Sequence, residues 1–449
     1  MTAYTCDTHQ VLTLVCCPRS CSHQREPVGS ISLHTGLVLA GLSEERMCAL
    51  GIAQKTATQV HMAWTRGGAH REGVELFERF RRFNLTMQMR TDDPIHKAHL
   101  DGMRDTTSDH PITREWVRSL RQLTAADVQE DGEWRFTEIA TLSNLERQTI
   151  NVAQVKAFAK HHGLPLIMWK KKLDATNVRS MLLNTAELAI LYANEPGLIG
   201  YYVKGCPAYI DFNIATSRGL VNGCRATMDS LTLAEGSPTI EELLAELPAH
   251  ETELWLAEPP LTVNMVPDLP PDEAYVMITA GLSLRTDLLV IPVPIHSYAK
   301  TAKLRSVQVA LHGLPSEIKI LDHQFDLGFA LTDFKLQSRT KTKLILSLRA
   351  RKTRPFYTLN SIYVLASRVR LAEQLRVIGF DPQRDDPSHL TSLQHPPLLG
   401  IWEASYRNGH EWSAELRDAA ITKSLGGEPA APLDDIADHF EDNVMHMES

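Results

Sequence analysis

Phe136-Thr-Glu-Ile-Ala-Thr-Leu142, the stretch Leu145 to His162, and Pro165-Leu-Ile-Met-Trp169 decide the fold class of this 449-residue chain. The first and last are short apolar runs of strand length. The middle stretch carries Val152, Val155 and Phe158 at helical spacing and stops at Gly163, so it predicts a helix. Strand, helix, strand at these lengths is the pattern of a parallel α/β unit.

Working outward, the α/β character returns with strand-like runs at Gly328 to Thr332, Leu344 to Leu348 and Ile362 to Ala366, the last followed by a helix. Between them, from Asp229 to about Phe325, proline becomes frequent (Pro259, Pro260, Pro267, Pro270, Pro271, Pro292, Pro294). Short runs such as Leu288 to Ile295 and Val307 to Leu311 there predict a β-rich insertion. Upstream, Val74, Phe77, Phe80 and Phe83 recur at helical spacing with Arg79, Arg81 and Arg82 between them, which reads as a core helix with a solvated basic face. Pro111 opens another expected helix, with Ile112, Trp116, Val117, Leu120 and Leu123 on one side. Residues 1–69 follow no pattern. Cys16-Cys-Pro-Arg-Ser-Cys21 with His23 lacks paired metal-ligand spacing, so no metal site is assigned. The acid-rich stretch beyond Gly426 is expected to be disordered.

With 43% hydrophobic and 22% charged residues, the chain reads as a soluble globular protein of two to four domains. Seven irregularly spaced cysteines without a secretory signal argue for reduced thiols inside the cell. The apolar run Val11 to Cys17 is too short to span a membrane. The expected location is the nucleus, with cytoplasm or mitochondrion as alternatives. Net charge is −8, but it is unevenly spread. Lys300 to Arg376 holds 15 Lys/Arg against 5 Asp/Glu, whereas Ala226 to Leu284 holds eleven acids and no Lys or Arg. Phosphate binding depends on local charge, so the sum does not exclude a nucleic-acid partner. A basic face beside a solvated acidic tail explains the same segregation.

No GxxxxGK[ST] phosphate loop, GxGxxG or HExxH occurs, and no glycine is followed by lysine. The single Asp-Glu pair, Asp272-Glu273, follows two prolines and not an apolar strand. Four other segments stand out together: Thr141-Leu-Ser-Asn-Leu-Glu-Arg-Gln-Thr-Ile-Asn151; Lys204-Gly-Cys-Pro-Ala-Tyr-Ile-Asp-Phe-Asn-Ile-Ala-Thr-Ser-Arg-Gly-Leu-Val-Asn-Gly223; Phe329-Ala-Leu-Thr-Asp-Phe-Lys-Leu-Gln-Ser-Arg-Thr340; and Tyr363-Val-Leu-Ala-Ser-Arg-Val-Arg370.

This ordered set resembles the petite-integration-frequency helicases, superfamily-1B DNA helicases that move 5′ to 3′ on single-stranded DNA. Their second RecA-like domain carries an NxxxxxxN helix start, a KGAxVMLxxNxxxxGLVNG segment, a small SH3-like insertion, TxHKxQGxT and YVAxSRVR, in that order. The resemblance covers roughly residues 71–412. It implies an α/β fold, a RecA-like parallel sheet interrupted by a small β-rich, SH3-like insertion. The implied boundaries are a leader at 1–69, a helical segment at 70–135, RecA-like parts at 136–228 and 326–412, the insertion at 229–325 and an acidic tail at 413–449.

The resemblance also implies roles. Arg368 matches an arginine that stabilises charge building on the γ-phosphate of ATP, and Arg90, in Thr86-Met-Gln-Met-Arg-Thr-Asp92, resembles a second. Thr332, Lys335, Gln337 and Thr340 match residues that touch the DNA backbone; Asn213 and Asn222 belong to the GLVNG segment, where a purely turn-forming role explains them equally. Implied ligands are ATP with Mg²⁺, and single-stranded DNA or a forked duplex; implied processes are repair, recombination and telomere maintenance. Phe334 stands where the family usually has His, and Ser338 where it usually has Gly. The Walker A and Walker B motifs belong to a first motor domain that should precede residue 71, so the chain is expected to be truncated, and the alternative function is an inactive single-strand-binding remnant.

Overall fold

The computed structural model describes residues 91–130, 132, 134–174, 185–248, 250–295, 305–308, 317–337 and 339–424. The expected helix around Val74 to Phe83, Arg90, Ser338, the leader and the acidic tail beyond residue 424 lie outside the described residues.

Among the described residues three helices come first: α1 (Pro94–Arg104), α2 (Arg114–Ser119) and α3 (Ala125–Glu130). Asp93 caps α1 by accepting the amides of Ile95 and His96, both at 3.0 Å. The helix expected from Pro111 is only the six residues of α2, although Ile112, Trp116, Val117 and Leu120 are all buried as expected.

Strand β1 (Ile139–Thr141) is shorter than the run that predicted it. Phe136 has φ +61 and packs edge-on against Phe158 at 5.1 Å, so the chain is still turning there. Helix α4 (Asn144–His162) matches its expected span; Ser143 caps it and Gly163, in the left-handed region, ends it. Its most buried stripe is Arg147, Asn151, Val155 and Ala159, spaced by four. Of the residues expected inward, Val155 is buried while Val152 and Phe158 are half-buried. Polar residues hold two of the deepest positions because each has a partner, described below.

Next come β2 (Leu166–Lys170), β3 (Lys172–Leu173), α5 (Thr185–Asn194), β4 (Ile199–Tyr202), β5 (Pro207–Ile210) and β6 (Arg225–Thr232). The proline-rich stretch contributes α6 (Ile240–Ala245), β7 (Glu253–Leu256), β8 (Thr262–Pro267), α7 (Pro271–Thr279), β9 (Ile291–Pro294), β10 (Arg305–Gln308), β11 (Glu317–Leu321) and β12 (Phe325–Leu327). The chain then forms β13 (Ala330–Thr332), α8 (Asp333–Leu336), β14 (Leu344–Ser347), α9 (Leu359–Ala366) and β15 (Leu375–Ile378).

Four strands form a parallel sheet in the order β13-β1-β14-β15. Alternate residues face opposite ways, as the strand period of two requires. Ile139, Ala330 and Ile345 pack with Trp134 on one face. Ala140, Leu331, Leu344, Leu346 and Val377 pack on the other against α9 and against Leu100, Trp116 and Val117 of α1 and α2. Both faces are covered, the condition under which parallel sheets occur. The fold is α/β, as expected, with a four-stranded parallel sheet. A five-stranded antiparallel sheet, β12-β5-β6-β8-β9, stands beside it, with a larger core of its own.

Two expectations are corrected. β1 and β2 do not share a sheet: β2 pairs antiparallel with β4 and parallel with β7 in a separate three-stranded sheet. The parallel neighbours of β1 come from some 190 residues downstream in register with Ala330 to Thr332, a pairing no local pattern reveals. Ile362 to Ala366 is not a strand but the second half of helix α9, started by a capping box between Thr358 and Ser361. Its unbroken apolar run comes from burial on nearly all sides, which gives buried helices and strands the same sequence signature.

The antiparallel sheet passes into the parallel one at Gly328, between β12 and β13. A β-carbon there would sit 2.9 Å from the Pro207 carbonyl carbon, and the Gly328 amide donates to the Pro207 oxygen at 2.8 Å. Only glycine allows the two backbones to approach so closely.

Candidate nucleic-acid interface

Helix α8 is a single turn at the carboxyl edge of the parallel sheet, where open α/β sheets place their ligands. It follows β13 directly, with Thr332 as its buried N-cap residue in register beside Thr141 of β1. The four sequence segments converge on this turn.

From α4, Asn151 accepts the amides of Phe329 (3.1 Å) and Ala330 (2.8 Å) and donates to the Ala330 oxygen (3.3 Å), fixing the start of β13. Arg147, one turn earlier, pairs with Asp326 at 2.5 Å; both side chains are about nine-tenths buried. Asp326 also pairs with Lys335 of α8, and Lys335 reaches Asp211, at the end of β5, at 2.7 Å. Two cations and two carboxylates thus tie α4, β12, α8 and the 204–223 segment into one cluster.

A second tie lies a few residues on. Arg339 donates to the Gly223 carbonyl and lies over the Tyr209 ring, its guanidinium carbon 4.5 Å from the centroid. Lys341 donates to the Tyr209 hydroxyl at 2.9 Å and pairs with Glu138, which accepts a hydrogen bond from that hydroxyl at 2.5 Å and has Arg225 at 3.8 Å. Burial, then Glu138, pushes the Tyr209 hydroxyl far above its ordinary range; burial pulls the Lys341 ammonium down, against the opposing pull of Glu138. Glu138, Tyr209, Lys341 and Arg339 were not singled out as functional residues in the sequence. Each is an ordinary residue until the two sheets meet.

The loop between β5 and β6 is held by its own asparagines. Asn213 accepts the Asn222 amide through Oδ1 at 2.8 Å, and both residues are exposed. The turn-forming role is therefore occupied, and the remaining amide groups face solvent. Gly223 has φ +90, and a β-carbon there would meet the Arg339 guanidinium at 2.5 Å. Gly223→Ala is expected to cost about 1–3 kcal/mol from strain and displacement of Arg339. Urea unfolding checks this, and a loss below about 0.5 kcal/mol would contradict it.

Among the other expected contact residues, Thr340 is exposed and Gln337, at the end of α8, is half-buried. Asp333 begins α8, and burial pushes its carboxyl up to about 6 against the hydrogen bond from the Phe334 amide. A raised folded-state value means its contribution is fully present below the unfolded value, near 4, and is lost as pH rises through about 6. Asp333→Asn is expected to stabilise the chain by on the order of 1–2 kcal/mol more at pH 8 than at pH 4. Equal effects at the two pH values would contradict this.

Arg368 is only 2% exposed, just past the end of α9. Its Nε donates to the Val364 oxygen (2.7 Å), one terminal nitrogen to the Leu336 oxygen (3.4 Å) and the other to Ser367 Oγ (2.7 Å). Its own carbonyl accepts the Lys341 amide at 2.7 Å. Arg368 thus fastens α8 to α9. On the far side of that segment, Thr91 donates to the Arg370 carbonyl and Asp93 accepts the Ala372 amide at 3.2 Å. The described end of the 86–92 segment therefore meets the end of Ser367-Arg-Val-Arg370, beside a cleft of about 400 Å³ lined by Asp93, His96, His99, Arg121 and Glu373.

The sequence has no phosphate loop, and the described residues contain no group of three His, Cys, Asp or Glu placed to hold a metal ion. No described helix is long and apolar enough to cross a membrane.

No protein-family model and no curated protein matches the chain. Solved structures do. Pif1 helicase from Candida albicans is 14% identical, with a TM-score of 0.38, over 69% of this chain and 57% of that one. Bacteroides Pif1 bound to single-stranded DNA is 12% identical, with a TM-score of 0.41, over 76% and 61%. Bacteroides Pif1 with ADP-AlF3 and single-stranded DNA is 13% identical, with a TM-score of 0.40, over 75% and 60%. The chain spans about three-fifths of the length of these helicases, and it is to Pif1 helicases that its structure is similar.

Proposed function

We propose that this chain is the second, single-strand-holding motor domain of a superfamily-1B-type DNA helicase. The observation that carries this reading is the convergence of the four segments on α8. Asp211 and Arg368 contact α8 itself, Gly223 accepts from Arg339 just after it, Asn151 holds the start of the preceding strand β13, and Arg147 is linked to α8 through Asp326. One short turn held from four sides can pass a displacement at a bound strand to the segment ending in Arg370. Asn213, Asn222, Thr340 and Arg225 give that surface amide, hydroxyl and guanidinium donors, which suit sequence-independent contact with a phosphate backbone.

In this reading the bound strand is single-stranded DNA or the single-stranded arm of a fork, and movement is 5′ to 3′. The protein acts in the nucleus, in repair, recombination or telomere maintenance. ATP and Mg²⁺ bind only where another domain supplies the phosphate loop, with Arg90 facing it and Arg368 reaching it only on leaving the carbonyls it holds here. The missing phosphate loop favours a second reading as well: holding a strand without turnover.

Anisotropy of a labelled oligonucleotide, followed from 50 to 300 mM salt, tests the reading beside an ATPase assay. Binding is expected, with log affinity falling against log salt at a slope of roughly −2, as about three phosphate contacts would give. ATP hydrolysis by the chain alone is expected to stay at the blank with or without DNA. Absence of binding at 50 mM salt would overturn the proposal; DNA-stimulated hydrolysis would overturn the claim that the phosphate loop must come from elsewhere.

A further inference from the structure

Only a cation displaces counterions when it meets a phosphate, so a salt-dependent grip on a strand needs free positive charge. The segments around α8 supply little of it. Lys335 is held by Asp211 and Asp326, Lys341 by Glu138, and Arg339 by the Gly223 carbonyl. Lys343 lies over the Trp134 ring at 5.0 Å, and Arg225 stands 3.8 Å from Glu138. Asn213, Asn222 and Thr340 are neutral.

The loop after β14 is different. Arg349-Ala-Arg-Lys-Thr-Arg354 holds four cations in six residues, and no Asp or Glu occurs between Asp333 and Glu373. Arg351 is spent on Glu146 at 2.7 Å, but Arg349, Lys352 and Arg354 are exposed. Among the described residues no carboxylate pairs with Arg349 or Lys352. The ends of the loop are fixed: Tyr357 donates to the Ser347 carbonyl at 2.5 Å, and the Ser347 hydroxyl donates to Glu146 at 2.5 Å. In the neighbouring loop Asp381 accepts the Gln383 amide at 2.9 Å and Asp386 the Ser388 hydroxyl at 2.6 Å, so those carboxylates serve their own turn. Strand β14 runs parallel to β1, and β1 to β13, so the basic loop leaves the sheet at the same edge as the end of β13 that enters α8. Two strand spacings separate them, roughly 10 Å, or about three nucleotides at the rise of stacked DNA.

We propose that Arg349, Lys352 and Arg354 hold the phosphates of the strand about three nucleotides beyond α8, and that this loop supplies most of its salt-dependent affinity. This rests on the single-strand reading above and deepens it, since it names the residues that grip the backbone.

The test follows the anisotropy of a labelled thymidine 12-mer with the full chain from about 50 to 300 mM salt. Replacing all three cations (Arg349→Gln, Lys352→Gln and Arg354→Gln) is expected to bring the slope from roughly −2 to within about 0.5 of zero. Each single change should remove about 0.7 of it. Arg349→Lys with Arg354→Lys keeps the charge and should keep the slope. Lys156→Gln with Lys160→Gln, on the exposed face of α4, removes charge elsewhere and should leave the slope unchanged. Thermal melting of every variant should match the wild type, because the replaced side chains are in solvent. A wild-type slope in the triple variant, or an equal loss in the Lys156 and Lys160 variant, would overturn the loop's role while the single-strand reading stands. A wild-type chain that binds no strand at the lowest salt would overturn both.

Discussion

Replacing Asp326 with alanine is expected to cost about 3–5 kcal/mol of folding stability. Its carboxylate is shared by Arg147 and Lys335, and the Asp326 and Arg147 side chains are both about nine-tenths buried. Removing it leaves two cations facing each other with only Asp211 to balance them. Among the described residues the Arg147 Nε already has no hydrogen-bond partner, so the guanidinium has little to fall back on. The pair need not stabilise the fold against an apolar replacement of all its members; the cost comes from breaking it on one side. Guanidinium unfolding of Asp326→Ala and of Asp326→Asn, which keeps one acceptor, measures the effect. The asparagine variant should lose less. A loss below about 1 kcal/mol for the alanine variant would show that the cluster is solvated and not a tie between the sheets.

Arg368→Ala is expected to cost about 2–4 kcal/mol. The change removes donors from the Val364 and Leu336 carbonyls and from Ser367 Oγ, and it opens a void at a 2% exposed position. The Val364 carbonyl keeps the Ser367 hydroxyl (3.1 Å) and the Leu336 carbonyl keeps the Arg339 amide (3.3 Å), so the cost comes from the lost guanidinium hydrogen bonds and the void. Arg368→Lys should recover only part of this, because an ammonium cannot reach three acceptors in the planar fork that the guanidinium spans. The sequence suggests a phosphate finger here, and the two roles predict different results. If Arg368→Ala unfolds at the wild-type denaturant concentration, the guanidinium serves a ligand and does not hold α8 to α9.

Local patterns give away much of this fold. Helix α4 has a serine cap, a glycine stop and an apolar face, so its span is plain. The strands around Ala330, Leu344 and Leu166 are short apolar runs bounded by turn residues. What stays hidden is pairing. The partners of β1 lie far downstream, and nothing in Ile139 to Thr141 indicates which sheet they join. The strand reading of Ile362 to Ala366 fails for a related reason: burial on all sides erases the helical period.

The candidate site divides in the same way. Lys335, Asn213 and Arg368 are visible because they sit in recognisable segments. Arg147 and Asn151 sit in a recognisable segment too, but hydropathy places polar residues outside and gives no sign that they hold the most buried stripe of α4. Their burial depends on Asp326 and on the backbone of Phe329 and Ala330, which are some 180 residues away. Glu138, Tyr209, Arg225 and Lys341 form a group only where the antiparallel sheet meets the parallel one.

Hydrogen exchange of backbone amides with and without a single-stranded 12-mer tests the central claim most directly. The account predicts added protection at 213–223 and at 332–341, the two segments joined through Lys335, Asp211, Arg339 and Gly223. Protection absent from both, or confined to the acid-rich stretch 253–294, would contradict it.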